Sequence, residues 1–132
     1  MAGLGDYMVA GVLRAESYDR AKKFYTEVLG LKPEEEGTTG REGRFWAADR
    51  TMVFIYERPG MPAPQNTALA FGVPKASFEM ALADLRAKGV RFEEYDIPEI
   101  GLKTVNGVAE FDGIRSAWFK DTEGNILNVV EM

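Results

Sequence analysis

The stretch AWFKDTEGNILNVVE, Ala117–Glu131, decides the fold: two short runs of aromatic and β-branched residues flank an acidic turn, Thr122-Glu123-Gly124. That is the pattern of a β-hairpin. An earlier stretch, RFWAADRTMVFIYE, Arg44–Glu57, has the same form, with RFWAA and TMVFIYE pairing across Asp49-Arg50. Laid on each other, Trp46 falls on Trp118, Asp49 on Asp121 and Glu57 on Glu131, with the second turn longer by two residues. Phe54 then stands opposite Asn128, a neutral amide in the middle of an apolar strand.

The likeness extends backwards from both hairpins. MVAGVLRA, Met8–Ala15, reads as a buried strand, and Ser17 as the cap of a helix with Asp19 in its first turn. Tyr18, Ala21, Tyr25, Val28 and Leu29 fall on one helical face, Lys22 and Lys23 point outward, and Gly30 is a stop. TALAFGV, Thr67–Val73, reads as the corresponding strand, ended by Pro74. Ser77 is then the cap of a helix carrying Phe78, Ala81, Leu82 and Leu85 inward and stopping at Gly89. VRFEEYD, Val90–Asp96, reads as another strand. The run Glu34–Glu36 reads as a solvated turn. Each half is thus a βαβββ module, 5–58 and 66–132, joined by a Pro-rich linker at 59–65, and the 132 residues make one domain. Such a half is too small to bury a sheet face alone, so two are expected to pack together.

Composition removes whole classes of chemistry. The chain has no cysteine and no histidine, so it has no thiolate or imidazole ligand, and Ser-His-Asp and Cys-His mechanisms are excluded. A formal charge of −5 argues against nucleic acid, which rewards a basic face. The N-terminal MAGLGDYMVAGVLRAE lacks the layout of a signal peptide, and no apolar run approaches the roughly 20 residues of a membrane span. The expectation is a cytoplasmic protein that engages neither membrane nor nucleic acid.

SYDRAKKFYTEVLGLK, Ser17–Lys32, and AWFKDTEGNILNVVE together resemble signatures of the vicinal oxygen chelate superfamily. That superfamily includes glyoxalase I, extradiol dioxygenases, methylmalonyl-CoA epimerase, and fosfomycin and bleomycin resistance proteins. The resemblance implies an α+β fold of two βαβββ modules whose mixed sheet curls into a cup with helices outside, the glyoxalase/bleomycin resistance fold, commonly as a homodimer. It also implies one divalent metal in the enzymes, held by His or Gln and Glu from the first and last strand of each module. Carried over, those positions are Ala10, Phe54, Ala68 and Asn128, and neither alanine nor phenylalanine can ligate a metal. The expectation is therefore a chain with no cofactor and no metal site, holding a small organic molecule in the cup.

Alternation along strands puts Met52 and Tyr56 on the face of Phe54, and Ile126 and Val130 on that of Asn128. The candidate ligand-binding residues are Arg14, Trp46, Phe54, Tyr56, Trp118 and Asn128. The aromatics would stack on a planar group, and Arg14, on the Ala10 face, would meet an anion. Two segments read as adjustable walls: Gly37–Arg44, rich in glycine, and the long connection Asp96–Ser116, with a hidden strand near Gly107–Phe111 and a candidate lid at PEIGLKT, Pro98–Thr104. The alternatives are a glyoxalase-like lyase, epimerase or dioxygenase with an atypical oxygen site drawn from Glu110, Asp112, Glu131 and Asn128, or a metal-free acid–base enzyme using Tyr56, Glu57 or a lid carboxylate.

Overall fold

Ser17 starts the first helix by accepting a hydrogen bond at Oγ from the Arg20 N–H, 3.3 Å, while Glu57 Oε1 accepts from the Tyr18 N–H at 2.9 Å. Those two oxygens satisfy donors that a helix start otherwise leaves open. The computed structural model describes residues 3–35 and 39–132, Glu35 by its backbone alone. The residues divide into two units, Met1–Met61 and Pro62–Met132.

In the first unit, strand β1 (Gly11–Ala15) leads to helix α1 (Tyr18–Lys23), which widens into a π turn over Phe24–Val28 and ends at Gly30, φ +78°. Then come β2 (Lys32–Glu35), β3 (Glu42–Trp46) and β4 (Met52–Glu57). The sheet order is β1-β4-β3-β2, with β1 parallel to β4 and the other pairs antiparallel. Leu13, Ala15, Phe45, Val53 and Ile55 form the buried face with Tyr18, Ala21 and Tyr25 of the helical segment. Gly43 is required there, since a Cβ would run into the Tyr18 hydroxyl. Met52, Phe54 and Tyr56, on the other face, are only half buried.

The second unit repeats the plan with additions. It has β5 (Thr67–Val73), helix α2 (Phe78–Ala87), a small hairpin of β6 (Asp96–Ile97) and β7 (Leu102–Lys103), then β8 (Val108–Phe111), β9 (Ile114–Lys120) and β10 (Ile126–Glu131). The main sheet runs β5-β10-β9-β8. Leu127 and Val129 of β10, Ala117 and Phe119 of β9, and Phe78, Leu82 and Leu85 of α2 are buried. Among the described residues, no helix is long and apolar enough to cross a membrane.

Several expectations need correction. Strand β1 begins at Gly11, not Met8, because its partner β4 offers nothing before Met52; Met8 and Val9 are exposed. Lys32–Glu35 is an edge strand, so Glu34 and Glu35 are not in a turn; Glu36 lies outside the described residues. β3 takes Glu42–Arg44 out of the expected glycine-rich wall, whose Gly37 and Thr38 also lie outside the described residues. Ser77 makes no capping hydrogen bond: a tight turn at Lys75–Ser77 leads into α2 instead. Val90–Asp96 is not a full strand: its backbone pairs with the main sheet at one bridge, Phe92 to Phe119, and Asp96 belongs to the small hairpin.

The hairpin registration also changes. Trp46 pairs with Met52, and Lys120 with Ile126, so the turns 47–51 and 121–125 have equal length. Glu57 still matches Glu131 and Phe54 still matches Asn128, but Trp118 stands where Arg44 does, and Asp121 where Ala47 does. Matching tryptophans by identity suggested a longer second turn; the ladder hydrogen bonds align position with position.

Two carboxylates brace the second unit. Glu94 accepts from Thr104 Oγ1 (2.6 Å) and, through both oxygens, from the Gly107 N–H (3.1 Å each). Glu131 accepts from the Arg115 backbone N–H (2.7 Å), Nε (3.1 Å) and a terminal guanidinium nitrogen (2.9 Å). The Thr104 bond, then that of Gly107, holds the Glu94 carboxyl below its ordinary range; Arg115 does the same for Glu131. Both stay ionised where the unfolded chain takes up protons. Their contribution is complete above the ordinary carboxylate range and disappears as the pH falls through their own lower values. Urea midpoints are therefore expected to drop progressively below about pH 4, and Glu94→Gln to flatten that acid limb while lowering the neutral plateau.

Candidate sheet-face binding site

Each unit leaves one sheet face without its helix, and the expected site residues lie on these faces. In the first unit, Arg14 is paired with Tyr56 and Phe54 with Arg44. The Phe54 and Tyr56 rings stack at 6.5 Å and 21°. Arg14 is buried to 8 % exposure, with Glu16 3.6 Å away; it is not an open strand-end cation. Trp46 occupies the Met52 row of the same face and donates its Nε1–H to Glu34 Oε2 at 2.6 Å. The structure thus gathers Arg14, Phe54 and Tyr56 closely, with Trp46 at the far end.

In the second unit, Trp118 and Asn128 are directly opposed, and Asn128 faces Ala70 on its other side. Trp118 Nε1 donates to Thr67 Oγ1 at 3.2 Å. Thr67 belongs to β5 and Trp118 to β9, so the indole reaches across β10, two strand spacings of about 4.8 Å. Tyr95 packs edge-on against that indole, 5.8 Å and 74°, and burial pushes its hydroxyl pKa up. The Tyr95–Trp118 contact comes from a segment read as plain strand, and no local signal in Val90–Asp96 announces it. The Pro98–Thr104 segment carries the β6–β7 turn, and its Leu102 and Thr104 are buried.

Asn128 is 7 % exposed, and its Nδ2 donates to the carbonyls of Ala117 (3.1 Å) and Val129 (3.3 Å). The four positions that the resemblance assigns to a metal, Ala10, Phe54, Ala68 and Asn128, supply one donor atom between them, the Asn128 carboxamide oxygen. Their cross-strand neighbours, Val12 beside Phe54 and Ala70 beside Asn128, supply none. A divalent ion needs several oxygen or nitrogen donors, so these residues do not fit one. The atypical oxygen set does not converge either. Glu131 points to the opposite face from Asn128 and is committed to Arg115. Glu110 pairs with Arg115 on that same opposite side, and Asp112 sits in a turn at φ +49°. Glu57 is similarly engaged, by the Tyr18 N–H and by Arg41 at 3.2 Å, and so makes a poor general base. Among the described residues, no three His, Cys, Asp or Glu side chains gather as an ion would require.

Comparison with known proteins places this geometry. Among solved structures, an integron cassette protein from the mobile metagenome of the Halifax Harbour sewage outfall matches at a TM-score of 0.70 and 20% identity, over 96% of this chain and 98% of that one. A lactoylglutathione lyase from Agrobacterium tumefaciens matches at 0.68 and 20%, over 95% and 92%. The fosfomycin resistance protein FosX from Listeria monocytogenes matches at 0.68 and 15%, over 100% and 94%. At such identities the likeness establishes the fold alone. None of the proteins of curated function matches in sequence. Residues 6–129 match the family model of the Glyoxalase/Bleomycin resistance protein/Dioxygenase superfamily, and with two βαβββ units in hand the chain belongs to that superfamily.

Proposed function

We propose that this protein binds a small organic molecule against its open sheet faces without a metal, in the manner of the sequestering members of its superfamily, as a cytoplasmic homodimer. One observation carries the reading: the positions that the resemblance assigns to metal ligands hold Ala10, Phe54, Ala68 and Asn128, while the surrounding faces present aromatic surface from Phe54, Tyr56, Trp118 and Tyr95. A planar ligand gains about 0.5–1.5 kcal/mol per aromatic pair beyond the area it buries. The apolar neighbours Val130, Ile126 and Ala70 suit an organic body rather than a hydrated ion.

The test is the metal content of tag-free protein purified without chelator, with melting curves in nickel, zinc, manganese and iron. A metal bound only by the folded state adds about 2.7 kcal/mol at a hundredfold excess over its dissociation constant. The expected outcome is sub-stoichiometric metal and an unmoved midpoint. Stoichiometric metal with a matching shift would replace this reading by that of a metalloenzyme whose ligands lie elsewhere.

A further inference from the structure

Asn128 is locked in one orientation. Its Nδ2 faces two backbone carbonyls, those of Ala117 and Val129, and a carbonyl oxygen can only accept. Turning the carboxamide over would set Oδ1 against both oxygens and lose both bonds. The end of Asn128 that remains is therefore an acceptor. Oδ1 accepts from no donor among the described residues, and it is not fully enclosed, so it stays open to a ligand.

Its surroundings leave that acceptor as the fixed polar feature of the face. Ala70 and Trp118 flank it across the strands, and the indole N–H of Trp118 is already committed to Thr67. Ile126 and Val130 lie above and below it along β10. Lys120, in the Ile126 row, pairs with Glu93 at 3.6 Å. Three hydroxyls are on or beside this face: that of Ser116, which is paired with Val130, that of Thr67, which accepts from the Trp118 indole, and that of Tyr95, packed on the same indole. A hydroxyl rotates to donate or accept, so none of them discriminates. Asn128 cannot adapt, and it does.

We infer that Asn128 sets ligand specificity on this face: it selects a planar group that presents an N–H donor, such as an amidine, a primary amide or an amino-substituted heterocycle, and rejects a carboxylate. This rests on the small-molecule reading above and adds the chemical class. A carboxylate would place oxygen against oxygen. A ligand with neither donor nor charge would leave the acceptor desolvated and unpaired, a loss of roughly tenfold to a hundredfold in affinity.

Benzene-ring probes of one size test this. Benzamidine, benzamide, acetophenone and benzoate are titrated separately, following the Trp118 indole N–H and the Asn128 side-chain amide in nitrogen-15 spectra. The neutral pair benzamide and acetophenone removes the effect of net charge. Benzamidine and benzamide are expected to bind at least about tenfold more tightly than acetophenone and benzoate, and Asn128→Leu to erase that preference. Equal binding of the neutral pair, tighter benzoate, or a preference that survives Asn128→Leu would overturn the inference and leave the binding function standing. No perturbation by any probe up to its solubility would overturn both. A separate readout needs no variant: the two Asn128 Nδ2 protons are expected to be resolved and protected from solvent exchange. Rapid exchange would show that the amide is not locked.

Discussion

Phe45→Ala is expected to lower the stability of the first unit by about 3–5 kcal/mol, as truncation of an enclosed aromatic does. Phe45 is 0 % exposed, and its ring lies between Tyr18 at 6.1 Å and Tyr25 at 6.0 Å. It is thus the point where β3 meets the helical segment. Alanine would leave a cavity that two rings, fixed by their own packing, cannot collapse to fill. Each lost ring pair adds to the loss of buried area. The other face of β3 carries Arg44 and Trp46, so loosening this strand also disorders the Phe54 side of the sheet. Urea unfolding measures the cost, and Phe45→Leu should recover about half of it. A cost under about 1 kcal/mol for the alanine variant would mean that α1 does not pack on β3 as described.

Asp121→Ala is expected to cost about 3 kcal/mol. Its Oδ1 accepts from the Glu123 N–H (2.8 Å) and the Asn125 N–H (2.9 Å), and its Oδ2 from Asn125 Nδ2 (2.9 Å). All three residues are buried. Alanine would strand those donors, and a buried unpaired donor costs about 1–3 kcal/mol, offset where the turn relaxes toward water. Asp121→Asn keeps one acceptor and should lie between wild type and alanine. Thermal and urea midpoints check the order. The expectation fails if alanine and asparagine are equally mild, since the aspartate would then not be organising the turn. The equivalent turn of the first unit dispenses with the device: Ala47 stands at the aspartate's place, and Asp49 and Arg50 take positive φ values of 52° and 63°, where the second turn has one positive φ, at Gly124 (86°).

Much of the fold is legible because it is written locally. Thr67–Val73, the helix from Phe78 and the inward face of α1 follow from periodicity and breakers, which act over a few residues. The parity of strands is equally local, so the placement of Met52, Phe54 and Tyr56 on one face, and of Ile126, Asn128 and Val130 on another, holds without knowing any partner strand. Register is different. Whether Trp118 matches Trp46 or Arg44 depends on which residues exchange ladder bonds, and residue identity misled there. Val90–Asp96 has the composition of a strand, yet it yields to the contacts of Phe92, Glu94 and Tyr95 with Phe119, Thr104 and Trp118.

The sequence by itself determined that this chain has no imidazole or thiolate chemistry, that it is built from two βαβββ repeats, and that position 128 bears a neutral amide in the middle of an apolar strand. Those are matters of residue type and short-range pattern. Only the tertiary structure decided what the amide does. The carbonyls that orient it belong partly to another strand, as do the indole crossing β10 and the tyrosine against it. Side-chain polarity is a property of the residue, but the direction in which it points is set by partners remote in sequence.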